Sequence, residues 1–222
     1  MSESIRIDGR RARGDASRQL VLSHAVDLAS LEGLDQLSIG RIAGAANLSK
    51  SSVAALFGSK ERLQLAAVEN AAGRFEAAIV TPAREKAPGI RRLAALLDRL
   101  IAYSEDGVFP GGCFFSSSAA DFHAKPGAVR EAIWFQLERW LQYVAATARF
   151  AAEAEELSAV EDPDQLAFEL QGVFEWMNLM AQMTDSNLPH ERARRAYRDR
   201  LLSLGADPAI AEQLLEPGAS LR

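Results

Sequence analysis

One cysteine, Cys113, stands in a chain of 222 residues, so no disulfide can form within it, and such sparse use suits a reducing cytoplasm. Histidine is nearly as scarce. His24, His123 and His190 are scattered, and none is spaced with Cys, Asp or Glu as metal ligands are. No apolar run reaches membrane-spanning length and no charged-then-apolar leader opens the chain, so a cytoplasmic protein with no membrane partner is expected. No segment alternates with period two over a useful length, which removes strands and with them any glycine-rich phosphate loop that follows one. Repeats, low-complexity tracts and long linkers are also missing. Catalytic groups fail to assemble: Cys113 ends the turn Phe109-Pro110-Gly111-Gly112 without a basic partner nearby in sequence, and Glu153, Glu155 and Glu156 fall at the spacing of a solvated helix face. Neither an enzyme nor a cofactor is expected.

What remains is apolar and helical. Hydrophobic residues make up 48% of the chain, enough for one small and one larger core. The net charge of −5 divides unevenly: residues 1–63 hold nine Lys and Arg against seven Asp and Glu, leaving −7 for the remainder. The sign suits a nucleic-acid partner for the N-terminal part, though the excess is small. From Arg18 a 3.6-residue period is nearly continuous. Gly33, Pro82, Pro88-Gly89, Pro110-Gly111, Pro126-Gly127, Asp162-Pro163, Pro189 and Pro208 punctuate it into helices. The fold class expected is all-α.

Residues 38–61 are the most specific stretch. Ser38 can cap a short helix with Ile39, Ile42, Ala43 and Ala46 on one face. Asn47 sits where the chain must reverse with positive φ, and Ser49 can cap a second helix with Val53, Leu56 and Phe57 inward. Ser59 opens a third. Two short helices joined by a tight turn place the second in the major groove with its N-terminal residues toward base edges.

With Val21, Leu22, Ala25, Leu28 and Gly33 before them, Ser38, Ile42-Ala43, Ala45-Ala46, Leu48-Ser49-Lys50, Phe57 and Ser59-Lys60-Glu61 resemble, over residues 18–63, the DNA-binding domain of the TetR family of transcriptional regulators. One departure stands out: Ala54, Ala55 and Leu56 occupy positions where that family carries an aromatic, often followed by His. The resemblance implies a larger C-terminal helical domain that binds a small-molecule inducer and dimerises through its last two long helices. The expected division is a flexible basic arm over 1–16, a helix-turn-helix domain over 17–63, a ligand-binding and dimerisation domain over 64–216, and a tail over 217–222.

Aromatic and sulfur side chains concentrate between residues 103 and 183. Cys113, Phe114, Phe115, Trp134, Phe174 and Met177 are candidates to converge on a ligand cavity, with His123, Gln171 or Asn178 as the orienting polar group. Residues 164–184 are apolar on more than one face: Leu166, Leu170, Val173, Met177 and Met180 form one stripe, and Phe168, Trp176, Leu179 and Met183 fall elsewhere. A helix so apolar must be covered on both sides. Trp176, Met180, Met183, Tyr197 and Leu201 are therefore candidate homodimer contacts.

Lys50 is the foremost candidate for base or phosphate contact. Ser38, Arg41, Ser49, Ser51, Ser52 and Lys60 are further candidates, with the N-terminal arginines as auxiliary charge. The function expected is a ligand-responsive repressor released from a pseudopalindromic double-stranded DNA operator by a small apolar or amphipathic inducer. The alternative, motivated by Ala54 to Leu56, is a ligand-binding protein of the same fold with weak or lost DNA binding.

Overall fold

Local chemistry decides where the helices begin. In the computed structural model, which describes the backbone of residues 2–215 and the side chains of 14–214, α1 spans Ser2–Glu32 and ends where Gly33 takes φ 95°. Then follow α2 (Ile39–Ala45), α3 (Lys50–Phe57), α4 (Lys60–Phe75), a π-helical turn over Glu76–Val80, α5 (Thr81–Ala83), α6 (Ile90–Glu105) and α7 (Phe114–Phe122). The remaining helices are α8 (Ala128–Glu153), α9 (Pro163–Met183), α10 (Leu188–Ser203) and α11 (Pro208–Ala211). No strand occurs among the described residues. Side-chain oxygens of Ser38, Ser49, Asp162 and Asp207 accept from the first turns of α2, α3, α9 and α11.

The chain divides into two units, with boundaries inside α4 and α8. The first holds residues 1–72 together with 109–133. Val21, Ala25 and Ala29 of α1, Ile42 of α2, Val53 and Phe57 of α3, and Leu63 and Ala67 of α4 form its core. Segment 109–133 adds Phe109, Phe114, Phe115 and Phe122 to the buried set. It is held to the end of α1 by polar contacts that need close approach: Gly111 N–H donates to Ser30 Oγ at 3.1 Å, and Asp35 N–H donates to Asp121 Oδ2 at 3.3 Å. Within the domain expected over 64–216, α7 is thus grouped by its contacts with the N-terminal helices. Helix α1 also runs back to Ser2, so residues 2–16 are helical backbone rather than a separate arm. The contacts expected of Arg6, Arg10, Arg11 and Arg13 lie outside the described side chains.

Gly111 offers a test of this seam. A Cβ there would lie 2.1 Å from the backbone oxygen of Ser30, so Gly111→Ala must push α1 and the turn apart. The expected loss is about 1–3 kcal/mol, the range of overpacking, read as a lower urea midpoint at constant m. Gly73→Ala, inside α4 with nothing within 4 Å of its Cβ, should be neutral or slightly stabilising.

The second unit, residues 73–108 and 134–222, is built around α6, α9 and α10. Leu93, Leu97, Leu100 and Ile101 of α6 are buried, as are Leu166, Leu170, Phe174 and Met177 of α9 and Ala193, Tyr197 and Leu201 of α10. Phe75 meets Tyr103 and Trp140 edge-on at 5.5 and 5.1 Å. Glu156 supplies a cap from a distance, its carboxylate accepting from Ile90 N–H at 2.8 Å at the start of α6.

Candidate nucleic-acid interface

The turn between α2 and α3 is closed by backbone bonds from Ala46 N–H to Ile42 O and from Leu48 N–H to Ala43 O, both 2.9 Å. Asn47 carries φ 52°, the left-handed conformation expected of it. Ser49 Oγ then accepts from Ser52 N–H at 3.0 Å and lies 2.8 and 2.7 Å from the hydroxyls of Ser51 and Ser52. These contacts order one polar edge at the start of α3. Val53 and Phe57 anchor the opposite face in the core. Ser49, Lys50, Ser51 and Ser52 are all exposed, so the N-terminal end of the second helix projects hydroxyls, open N–H groups and one ammonium into solvent.

The cations differ in how committed they are. Lys50 makes no ion pair among the described residues, and its stem lies beside Gly40, where a Cβ would come within 3.2 Å of Lys50 Cε. Arg41 pairs with Glu32. Lys60 donates to the backbone oxygen of Asp35 and sits 3.4 Å from its carboxylate, whose other oxygen holds Lys125 at 3.0 Å. The hydrogen bond from Lys125 and the charge of Lys60 hold the Asp35 carboxyl below its ordinary pKa. Ser38 Oγ is engaged as the cap of α2, accepting from Arg41 N–H at 3.3 Å. Ala55 is exposed and Ala54 and Leu56 half-buried, so the outer face of α3 beyond Ser52 is methyl groups. Sequence reasoning missed Arg18, which reaches from α1 to the far end of α3, and Asp35, which gathers two lysines.

The remaining candidates separate. Cys113, Phe114 and Phe115 are buried in the first unit, and Phe174 and Met177 in the second. Trp134, a further cavity candidate, is 58% exposed. Its position on α8 turns it to solvent while Ile133 faces inward. Within the second unit an open groove of about 320 Å³ runs between α9 and α10, lined by Trp176, Met177, Met180, Leu188, Pro189 and Ala193 among others. Of the expected dimer contacts, Trp176 and Met183 are exposed at 64% and 72%, and Met180 is half-buried. Tyr197 and Leu201 are corrected: both are fully buried inside the protomer. Tyr197 Oη donates to Leu170 O at 3.1 Å, and burial drives the phenol pKa above its ordinary range. Phe168 and Leu179, at 69% and 51%, are exposed on the same helix as Trp176 and Met183.

Among the described residues no helix is long and apolar enough to cross a membrane, and no group of three His, Cys, Asp or Glu is placed to hold a metal ion. The family described as "Bacterial regulatory proteins, tetR family" matches residues 21–67, and "Tetracyclin repressor-like, C-terminal domain" matches residues 89–197. The chain belongs to the TetR family. Members of this family are DNA-binding transcriptional regulators rather than enzymes. A TetR-family regulator from Agrobacterium tumefaciens is similar with a TM-score of 0.76 at 16% identity, over 87% of this chain and all of that one. One from Chloroflexus aurantiacus gives 0.73 at 23%, over 87% and 94%. AibR, solved in complex with isovaleryl coenzyme A and operator DNA, gives 0.66 at 19%, over 86% and 100%. No curated protein matches the chain.

Proposed function

We propose that this TetR-family chain is a homodimeric repressor that binds a pseudopalindromic operator and leaves it when a small apolar or amphipathic molecule binds the C-terminal part. The observation that carries the DNA half is the ordered, exposed edge Ser49–Ser52 with Lys50 beside it, on a helix whose other face is locked by Val53 and Phe57. AibR, a chain of the same fold, has been solved with both operator DNA and isovaleryl coenzyme A, and the proposal gives this chain the same two kinds of partner. Release requires an inducer that prefers one of two states, since a ligand with equal affinity for both shifts nothing.

Capture of genomic fragments by the purified protein at near-physiological salt, with Lys50→Ala beside it, tests this reading. The wild type should enrich a pseudopalindrome, and Lys50→Ala should weaken binding to it by about tenfold or more, the worth of one good base contact. If Lys50 meets only phosphate, the loss is uniform across sequences and the salt slope falls by about one.

A second reading has its own observation. The methyl surface of Ala54 and Ala55 offers no hydrogen bond to a phosphate, so a chain with this face is also a candidate ligand-binding protein with little DNA affinity. A regulator that touches six or more phosphates loses about 10³-fold in affinity between 50 and 200 mM salt. Absence of a saturable complex even at low salt would favour the second reading.

A further inference from the structure

We infer that Arg18 is a positioning residue for DNA recognition, one that fixes the recognition helix α3 by its C-terminal end without touching DNA. This rests on the DNA-binding reading above and adds a residue to it. The last carbonyls of any helix lack partners inside it and carry the negative end of its dipole. At the end of α3, Gly58 with φ 76° turns its N–H back onto Ala54 O at 2.7 Å. Leu56 O is taken by Arg18, whose Nη1 donates to it at 3.1 Å from 38 residues away. The same guanidinium lies 4.5 Å above the centre of the Phe57 ring, which is itself buried. Arg18 makes no ion pair among the described residues, so its charge stays directed at the helix terminus and the ring.

One side chain thus ties α1 to α3 by two contacts of different kinds. A charge-assisted hydrogen bond sets where the helix ends, and a cation–π contact sets the rotation of its inner face. Lys50 lies six residues away, about 9 Å along the axis at 1.5 Å per residue. A tilt at the Leu56 end therefore carries the Ser49–Ser52 edge with it. Eight residues are too few for α3 to hold its angle by its own hydrogen bonds, so its orientation is set by what grips it.

The experiment compares wild type, Arg18→Met and Arg18→Lys on two duplexes of equal length, the pseudopalindrome enriched by the wild type and a random sequence. Arg18→Met should bind the enriched duplex about tenfold more weakly, as loss of a hydrogen bond to a charged group implies, while random-duplex affinity hardly changes. The slope of log affinity against log salt should stay as in wild type. A slope reduced by about 0.9 with equal losses on both duplexes would make Arg18 a phosphate contact and overturn the inference. Unchanged affinity on both would overturn it too. Amide exchange gives a readout that needs no DNA: in Arg18→Met, protection across residues 53–57 should fall about tenfold while α1 keeps its own. Arg18→Lys, which keeps the charge and a donor, should recover most of it and serves where the Met variant fails to fold. Unaltered exchange in α3 would remove the positioning role. A wild-type protein that binds no duplex would sink the DNA reading, and the exchange result then decides the Arg18 contact separately.

Discussion

Arg194→Met is expected to destabilise the protein by about 3–5 kcal/mol, the range for removing one partner of a buried ion pair. Arg194 is 3% exposed and holds two carboxylates, Asp98 at 2.8 Å and Glu105 at 2.7 Å, while its Nη1 lies 3.5 Å from Leu214 O. It therefore joins α6, α10 and the turn that follows α11. Four residues earlier on α10, His190 lies 3.1 Å from Ser104 Oγ, and burial holds its imidazole below the ordinary pKa. Arg194 is then the cation that balances Asp98 and Glu105 at neutral pH. With it gone, Asp98 is left as a buried charge without its counter-ion. The asymmetry supplies the check. Replacing all three members with apolar residues, as Asp98→Leu/Glu105→Met/Arg194→Met, should recover most of the loss, because the pair's own desolvation cost disappears with it. Urea unfolding at constant m measures both variants. A loss under about 1 kcal/mol for Arg194→Met would mean that solvent reaches the cluster and screens it.

What could be read in the sequence was what local chemistry controls. Ser38, Ser49 and Asp162 act within three residues of themselves, and Asn47 answers to its own φ, so their roles follow from order along the chain. The membership of α7 was not legible. It depends on Gly111 meeting Ser30 across 81 residues and Asp121 meeting Asp35 across 86, and no periodicity carries those pairings. The cations show the same limit. Arg41 and Lys60 look uncommitted in a linear reading, yet Glu32 and Asp35 reach them across turns. The error at Tyr197 and Leu201 has a different origin. A helical stripe shows that a face is covered but not by what. A narrow stripe such as that of α10 is used up by the protomer's own core. Helix α9 is the exception because its apolar residues exceed one face. Phe168, Gly172, Trp176, Leu179 and Met183 fall at i, i+4, i+8, i+11 and i+15, and that second stripe was a signal available in the sequence.

Trp176→Glu combined with Met183→Glu is expected to give a monomer whose affinity for the full operator falls by about 10²–10⁴-fold, the avidity lost when two linked sites become independent. Phe168, Trp176, Leu179 and Met183 are each at least half exposed in the protomer and share one face of α9. A contiguous apolar face of this kind on a helix is what an interface core supplies, and carboxylates within it would have to be desolvated without partners. Because these side chains face solvent in the protomer, the variant should keep its fold and its urea midpoint at low protein concentration. In a two-fold dimer paired through this face, the same face of the partner would lie against it and each substitution would act twice. Sedimentation velocity reads the mass, and titration of a full operator beside an isolated half-site reads the function. Half-site affinity should be unchanged, which separates loss of pairing from damage to α3. A variant that still sediments as a dimer would move the interface off α9, and equal losses on full and half sites would show that the substitutions had disturbed the DNA-binding unit itself.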